Sequence, residues 1–185
     1  DHLGPFAFNG VRNFIAALAL LPVLLFMQRK APKKTQTDEE RKQSRKTLWV
    51  GGVLCGLALA VASNLQQFGI SFTTVGKAGF LTALYIVIVP ILGLFLKKRV
   101  PATVWVSVVI AAAGTYLLSV QEGFTIAPGD LLVILCALGF SVHILIIDHF
   151  SPMVNGVALS CVQFLVCGIL CTAAALLSLI HISEP

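Results

Sequence analysis

Polar and ionisable side chains within otherwise apolar stretches are the residues of this sequence whose types and spacing could do chemistry. Such residues are rare at membrane depth and often mark the path of a substrate or a proton. The side chains of Arg12 and Lys77 are cationic, and the amides of Asn64 and Gln67 share one helix face. Two cations together with amides suit an anionic or zwitterionic solute. The candidates for contact with a solute are Arg12, Asn64, Gln67, Lys77, Tyr85 and His143.

Each ionisable candidate also has a simpler interpretation. Arg12 and Lys77 lie near the ends of their apolar segments, so either side chain could extend to the membrane interface and act as an anchor. His143 lies too deep in its segment to extend in this way. It is either a neutral histidine hydrogen-bonded between helices or a contact for a substrate or proton.

Pro90 lies inside the same apolar segment as Lys77. A proline within a helix removes one backbone hydrogen bond, here to the carbonyl of Ile86, and usually bends the helix. We therefore predict a helix kink at Pro90 that could serve a gating motion.

Signatures of enzymes and metal sites are absent from the sequence. It contains no HExxH, GxSxG or GxxxxGK[ST] motif. Asp148 looks like the one buried acid, but on a helix it diverges by about 100° from His149, and we interpret the two as an interfacial cap and charge pair. The cysteines lack metal-ligand spacing, so no catalytic residue, metal or cofactor is expected; they are Cys55, Cys136, Cys161, Cys167 and Cys171.

The elements that must position these residues are membrane-spanning helices. The chain has 185 residues, of which 57% are hydrophobic and 11% charged, whereas a soluble domain has about 25% charged residues. Its mean hydropathy is +0.93. The sequence predicts an all-α, polytopic transmembrane helix bundle, because six apolar segments approach the ~20 residues that cross a bilayer: Phe6–Met27, Leu48–Ile70, Thr74–Leu96, Pro101–Val120, Asp130–Ile147 and Asn155–Ile180.

Basic residues are concentrated in two connectors. Of 13 Lys and Arg, eight lie between Arg29 and Lys46, and three more form Lys97-Lys98-Arg99. The positive-inside rule places the basic loops 28–47 and 97–100 in the cytoplasm of a multi-pass protein of the cytoplasmic (inner) membrane. The longer loop is expected to be mobile. Lys77 then lies at the outer interface, where its charge needs no partner. Because the basic runs are short connectors, nucleic acid is not an expected partner.

Small residues form a stripe along the second segment. Gly52, Gly56, Ala60 and Asn64 recur at four-residue spacing. Such a stripe lets two helices approach closely, and close packing is the first interpretation. The alternative is that the polar end of the stripe faces an internal cavity.

Four passages resemble the EamA-type transporters of the drug/metabolite transporter superfamily. "FNGVRNFIAALALLPVLL" resembles the second helix of that family. "FGISFTTVGKAGFLTALYIVIVPI" resembles the passage from its third to its fourth helix, and a tryptophan followed by "AAAGTYLLS" its fifth. "GDLLVILCALGFSVHILIIDHFS" resembles the opening helix of the second repeat. The resemblance covers nearly the whole chain, although Lys97-Lys98-Arg99 stands where members often carry an acidic residue.

The resemblance implies a ten-helix transporter built from two inverted repeats around a central cavity. Residues 1–122 would be the first repeat without its first helix, and residues 123–180 the start of the second. We therefore expect a partial chain that cannot transport as it stands. Its tail, residues 181–185, is expected to be non-native because it is out of character with the span before it.

The function expected from the residues and the resemblance is secondary transport of small organic metabolites, with export of amino acids or related solutes as the specific form. The alternative is a non-transporting membrane protein, such as an assembly or receptor partner. The expected partners are a small-molecule solute and the lipid bilayer, and a homodimer stays open.

Overall fold

The computed structural model describes residues 4–30, 37–98, 100–119 and 128–182. Residues 31–36 of the predicted basic loop, residues 121–127 of the predicted connector between the fourth and fifth spans, Arg99 and the last three residues of the predicted tail lie outside these ranges. The described chain is helical with no strand, which confirms the all-α prediction. Its helices are α1 (Pro5–Lys30), α2 (Asp38–Ile70), α3 (Val75–Ala83), α4 (Tyr85–Phe95), α5 (Ala102–Ser119), α6 (Pro128–Phe150) and α7 (Gly156–Ile182).

Five helical stretches in the described chain are long and apolar enough to cross a membrane. They are Pro5–Lys30, Asp38–Ile70, Val75–Phe95, Pro128–Phe150 and Gly156–Ser178. The fourth predicted span corresponds to α5, which is apolar from Ala102 to at least Gly114. A helix satisfies its own backbone hydrogen bonds, so an apolar sequence of this length is stable in hydrocarbon.

The second predicted span begins earlier than its apolar residues suggest. α2 starts at Asp38, so residues 38–47 are helical, and the prediction of a mobile loop is wrong for this part of the connector. The start is fixed by a capping box: the Thr37 amide donates to Glu40 Oε2 at 3.0 Å, and the Glu40 amide donates to Thr37 Oγ1 at 3.4 Å. Three acidic residues in the first turn also favour this helix start.

Loss of this cap should loosen the start of α2. We expect Thr37→Ala to destabilise the first turn by about 1 kcal/mol, because an amide donor loses its acceptor. Hydrogen exchange at residues 38–42 should accelerate while exchange in the apolar part of α2 stays slow. Thr47→Ala is the matched control, since the Thr47 hydroxyl donates to the Gln43 carbonyl within the helix. Equal acceleration in both variants would contradict the capping role.

The third predicted span is divided at Leu84, between α3 and α4. The Leu84 amide donates to the Leu81 carbonyl at 3.3 Å, a tightened turn that ends α3. Pro90 lies buried inside α4, and the predicted kink at this residue stays a prediction. Pro90 removes a single hydrogen bond that the rest of α4 tolerates, and its gating role stays a prediction.

The chain forms two compact units. The first comprises residues 1–60 and 146–185, and the second residues 61–145. In the first unit, small residues seat α2 against α7: a Cβ on Gly56 would lie 2.7 Å from Val166 Cβ and 2.9 Å from the Gln163 carbonyl oxygen. This confirms the packing interpretation for that part of the stripe. The predicted division into repeats at residue 122 concerns sequence rather than packing and stays a prediction.

In the second unit, the last turn of α2 lies against the first turns of α6. A Cβ on Gly129 would lie 2.4 Å from the Gly69 carbonyl oxygen and 2.8 Å from the Phe72 carbonyl carbon. No side chain fits between two backbones at this distance. The close approach places the turn that follows α2 beside the start of α6, where the site described next is formed.

Candidate functional site

A buried ion pair links α3 to α6 in the second unit. Lys77 Nζ lies 3.1 Å from Asp130 Oδ2, and the side chains are 17% and 7% exposed. The Thr73 hydroxyl donates to the other carboxylate oxygen, Asp130 Oδ1. We call Thr73, Lys77 and Asp130 the charged cluster.

Local sequence positions each member of the charged cluster. Thr74 is the N-cap of α3 and accepts a hydrogen bond from the Lys77 amide, which fixes the first turn in which Lys77 lies. Asp130 stands in the first turn of α6, where the helix dipole favours a carboxylate. Thr73 lies in the turn that the contact of Gly69 with Gly129 brings next to α6.

The electrostatics of the charged cluster explain how it is tolerated within apolar surroundings. An isolated buried charge is strongly disfavoured, whereas a close pair with additional hydrogen bonds offsets most of this cost. The pair also leaves one ammonium and one carboxylate at the same place. A solute that carries both charges could therefore replace each partner without leaving a charge uncompensated.

A second polar contact in this unit also involves α3. Gln66 Nε2 donates to Thr82 Oγ1 at 3.1 Å, joining α2 to α3. The thiol of Cys136 on α6 lies next to the Thr82 side chain. Thr82 and Cys136 are both buried. The second unit thus holds polar contacts along α3 at both Lys77 and Thr82.

Several predicted site residues lie in the same unit as the charged cluster. Asn64 and Gln67 are half-buried on α2, and Tyr85 is half-buried at the start of α4. His143 is 8% exposed on α6. The hydrogen bond from α2 to α3 comes from Gln66 rather than from the predicted Gln67. A shared solute site formed by these residues stays a prediction.

Arg12 belongs to the first unit and is exposed on α1. Its guanidinium carbon lies 5.7 Å from the centroid of the Phe8 ring, within the range of a cation–π contact. This arrangement suits the anchoring interpretation of Arg12, and its contact with a solute stays a prediction.

Lys77 has a carboxylate partner although its position near the interface did not require one. The expectation of a buried Asp148 is wrong: Asp148 is exposed, and the buried acid of the described chain is Asp130, which is 5% exposed. Sequence reasoning missed Asp130 because it was taken only as the start of a span. A signal existed, since Lys77 and Asp130 both stand at the starts of spans that enter from the same predicted side.

Metal and thiol chemistry find little support in the described chain. No group of three or more His, Cys, Asp or Glu side chains among the described residues could hold a metal ion. The five cysteines are buried thiols. Cys167 and Cys171 approach each other within α7, with 3.9 Å between their sulfur atoms. We interpret these cysteines as small packing residues.

Comparison with known proteins supports the transporter resemblance. Residues 1–120 match the EamA-like transporter family. The chain is 36% identical over 156 residues to a protein of Archaeoglobus fulgidus named "Uncharacterized transporter", and the match covers 84% of this chain and 44% of that relative. The chain therefore spans less than half the length of this relative. No solved structure matches the chain.

The family match and the apolar helices agree on the class of protein. Five helical stretches of the described chain can span a bilayer, as a multi-pass membrane protein requires. The family match covers the first four predicted spans and the charged residue Lys77. The chain belongs to the EamA-like transporter family.

Proposed function

We propose that the protein is a secondary transporter that exports small zwitterionic metabolites, amino acids or related solutes, across the cytoplasmic membrane. The observation that carries this proposal is the buried pair of Lys77 with Asp130, at 3.1 Å. An amino acid carries the same two charges. Family membership supports a transport role, and the charged cluster supports the substrate class.

The proposed binding step is an exchange of partners. The solute carboxylate takes the place of Asp130 at Lys77 Nζ, and the solute ammonium takes the place of Lys77 at Asp130 Oδ2. Each protein charge keeps an opposite charge throughout, so the step avoids a bare ion in an apolar site. Charge-assisted hydrogen bonds of this kind are the strong ones in proteins.

Other residues would complete the site and its motion. In this proposal Asn64, Gln67, Tyr85 and His143 contact the solute, and Arg12 attracts it at the outer surface. The tightened turn at Leu84 and the hydrogen bond missing at Pro90 let the third span bend between its two ends, which a gating motion could use. The basic connectors lie on the cytoplasmic side, and an ion or solute gradient supplies the energy.

Solute counterflow into proteoliposomes tests this function. Because the chain spans less than half of its transporter relative, the test uses the protein with all ten helices that the family resemblance implies. Vesicles that contain this protein and a pool of unlabelled neutral amino acid should accumulate the labelled form above empty vesicles. The amine lacking the carboxylate and the acid lacking the ammonium should each compete at least about tenfold more weakly, because each leaves one buried charge without its exchange partner.

The pattern of competition decides between the candidate functions. Competition by either single-charge analogue as strong as that of the amino acid would contradict the exchange of partners. Folded protein without counterflow, and without stabilisation by any amino acid of a broad panel, would favour the non-transporting membrane partner.

A further inference from the structure

The first turns of α2 form a continuous basic surface next to a membrane-spanning segment. Arg41, Lys42, Arg45 and Lys46 are all exposed, and Trp49, at the start of the apolar part, is 50% exposed. We call these five residues the basic face. Its helix is fixed at its start by the capping box of Thr37 and Glu40.

Helical periodicity places the basic face on one side. Residues at positions i, i+1, i+4, i+5 and i+8 fall within about 140° of one another around an α-helix, with Trp49 near the middle of that arc. Ser44 and Thr47, on the other side, are half-buried, and so is Leu48 at the edge of the arc. The four cations are themselves exposed and directed away from the protein. Asp38 lies within the same arc and Glu39 at its edge, at the end farthest from the apolar segment.

The height of the basic face above the bilayer follows from the helix rise. At about 1.5 Å per residue, Arg45 and Lys46 lie about 5–6 Å from Trp49 along the axis, and Arg41 about 12 Å. The headgroup layer on each side of a bilayer is roughly 5–8 Å thick. Because tryptophan favours the membrane interface, the cations lie in this layer or just above it, within reach of their long side chains.

We propose that the basic face binds the acidic headgroups of phospholipids in the adjacent leaflet. Clusters of four or more cations directly beside a spanning helix attract acidic lipids. Here the cations are held on one side of a formed helix that continues into the bilayer, so the headgroups meet an ordered surface. The site is separate from the charged cluster and does not depend on the proposed function.

Fluorescence of Trp49 gives a direct test. The sequence has two tryptophans, and Trp105→Phe leaves Trp49 as the reporter. The protein is reconstituted in phosphatidylcholine bilayers that contain phosphatidylglycerol, with one lipid or the other brominated high on its acyl chain. Because both leaflets have the same composition, the direction of insertion does not affect the result. Brominated phosphatidylglycerol should quench Trp49 with an apparent affinity about tenfold above that of brominated phosphatidylcholine.

Paired substitutions assign the preference to the basic face. Arg41→Gln with Lys42→Gln, and Arg45→Gln with Lys46→Gln, should each reduce the preference by about threefold, and the fourfold variant should remove it. Lys97→Gln with Lys98→Gln removes the same charge from the connector after α4 and should leave the preference intact. High salt should weaken the parent preference.

Two results would overturn the proposal. One is equal quenching by the two brominated lipids in the parent, as expected if these cations only set topology or bind a soluble partner. The other is a preference that persists in the fourfold variant while its circular dichroism shows intact helices.

Discussion

Asp130→Asn is expected to abolish solute counterflow and to lower the free energy of unfolding by roughly 2–3 kcal/mol. The substitution keeps an acceptor for the Thr73 hydroxyl but removes the negative charge that lies 3.1 Å from Lys77 Nζ. The Lys77 ammonium then stays in a mostly buried place without its carboxylate. Lys77→Gln should have a smaller effect on stability, because the helix dipole still favours Asp130 in the first turn of α6.

Exchanging the charges of Lys77 and Asp130 distinguishes a role of the pair in binding the solute from a role in stabilising the fold. The double variant Lys77→Asp with Asp130→Lys re-forms an ion pair and should recover part of the lost stability, although a lysine at position 130 opposes the dipole at the start of α6. Counterflow should stay absent, because the carboxylate and ammonium sites of the solute have changed places. Unfolding in a denaturing detergent titration and counterflow are measured on the same preparations.

A second double variant completes this comparison. Lys77→Gln with Asp130→Asn leaves no unmatched charge, so its stability should exceed that of Asp130→Asn. Recovery of full counterflow by the charge exchange would show that the pair is only structural, and it would contradict the proposed exchange of partners with a solute.

Gly129→Ala is expected to destabilise the second unit by about 3 kcal/mol. The added Cβ would meet the Gly69 carbonyl oxygen at 2.4 Å and the backbone of Phe72 at 2.8 Å, and neither can rotate away. The first turn of α6 would have to move, and Asp130 with it. Counterflow should therefore fall together with thermal stability.

Gly79→Ala is the matched control for this prediction. Gly79 lies on α3, one turn from Ala83 and close to Lys77, and a Cβ there meets no atom within 4 Å. Alanine favours helix over glycine by about 0.5–1 kcal/mol, so this variant should be equally or more stable than the parent. Equal stability of the Gly129 and Gly79 variants would contradict the close approach of α2 and α6.

Local sequence carried enough information for most of the helices. An apolar run of bilayer length must pair its own backbone groups, so its helical state follows from composition with little help from its neighbours. The start of α2 was also readable, since Thr37 and Glu40 have the spacing of a capping box. It was missed because the charged residues beyond Asp38 resemble a connector when hydropathy alone sets the boundary.

The position of the helix break depended on more than one residue. Pro90 marks a missing hydrogen bond, yet α4 continues through it, and the tightened turn lies at Leu84. A proline identifies the residue that lacks a backbone N–H, but it does not determine where the surrounding packing lets the backbone deviate from helical geometry. Sequence reasoning therefore identified Pro90 but not the tightened turn at Leu84, and the kink at Pro90 stays a prediction.

The sequence by itself determined that this chain is a helical membrane protein of a transporter family, because apolar length and family motifs are properties of contiguous residues. Only the tertiary structure decided that Lys77 pairs with Asp130, 53 positions away. That contact depends on two glycines that let helix backbones meet, and hydropathy carries no information about which helices do so. The burial that makes the pair significant is likewise a property of the packed helices rather than of either residue.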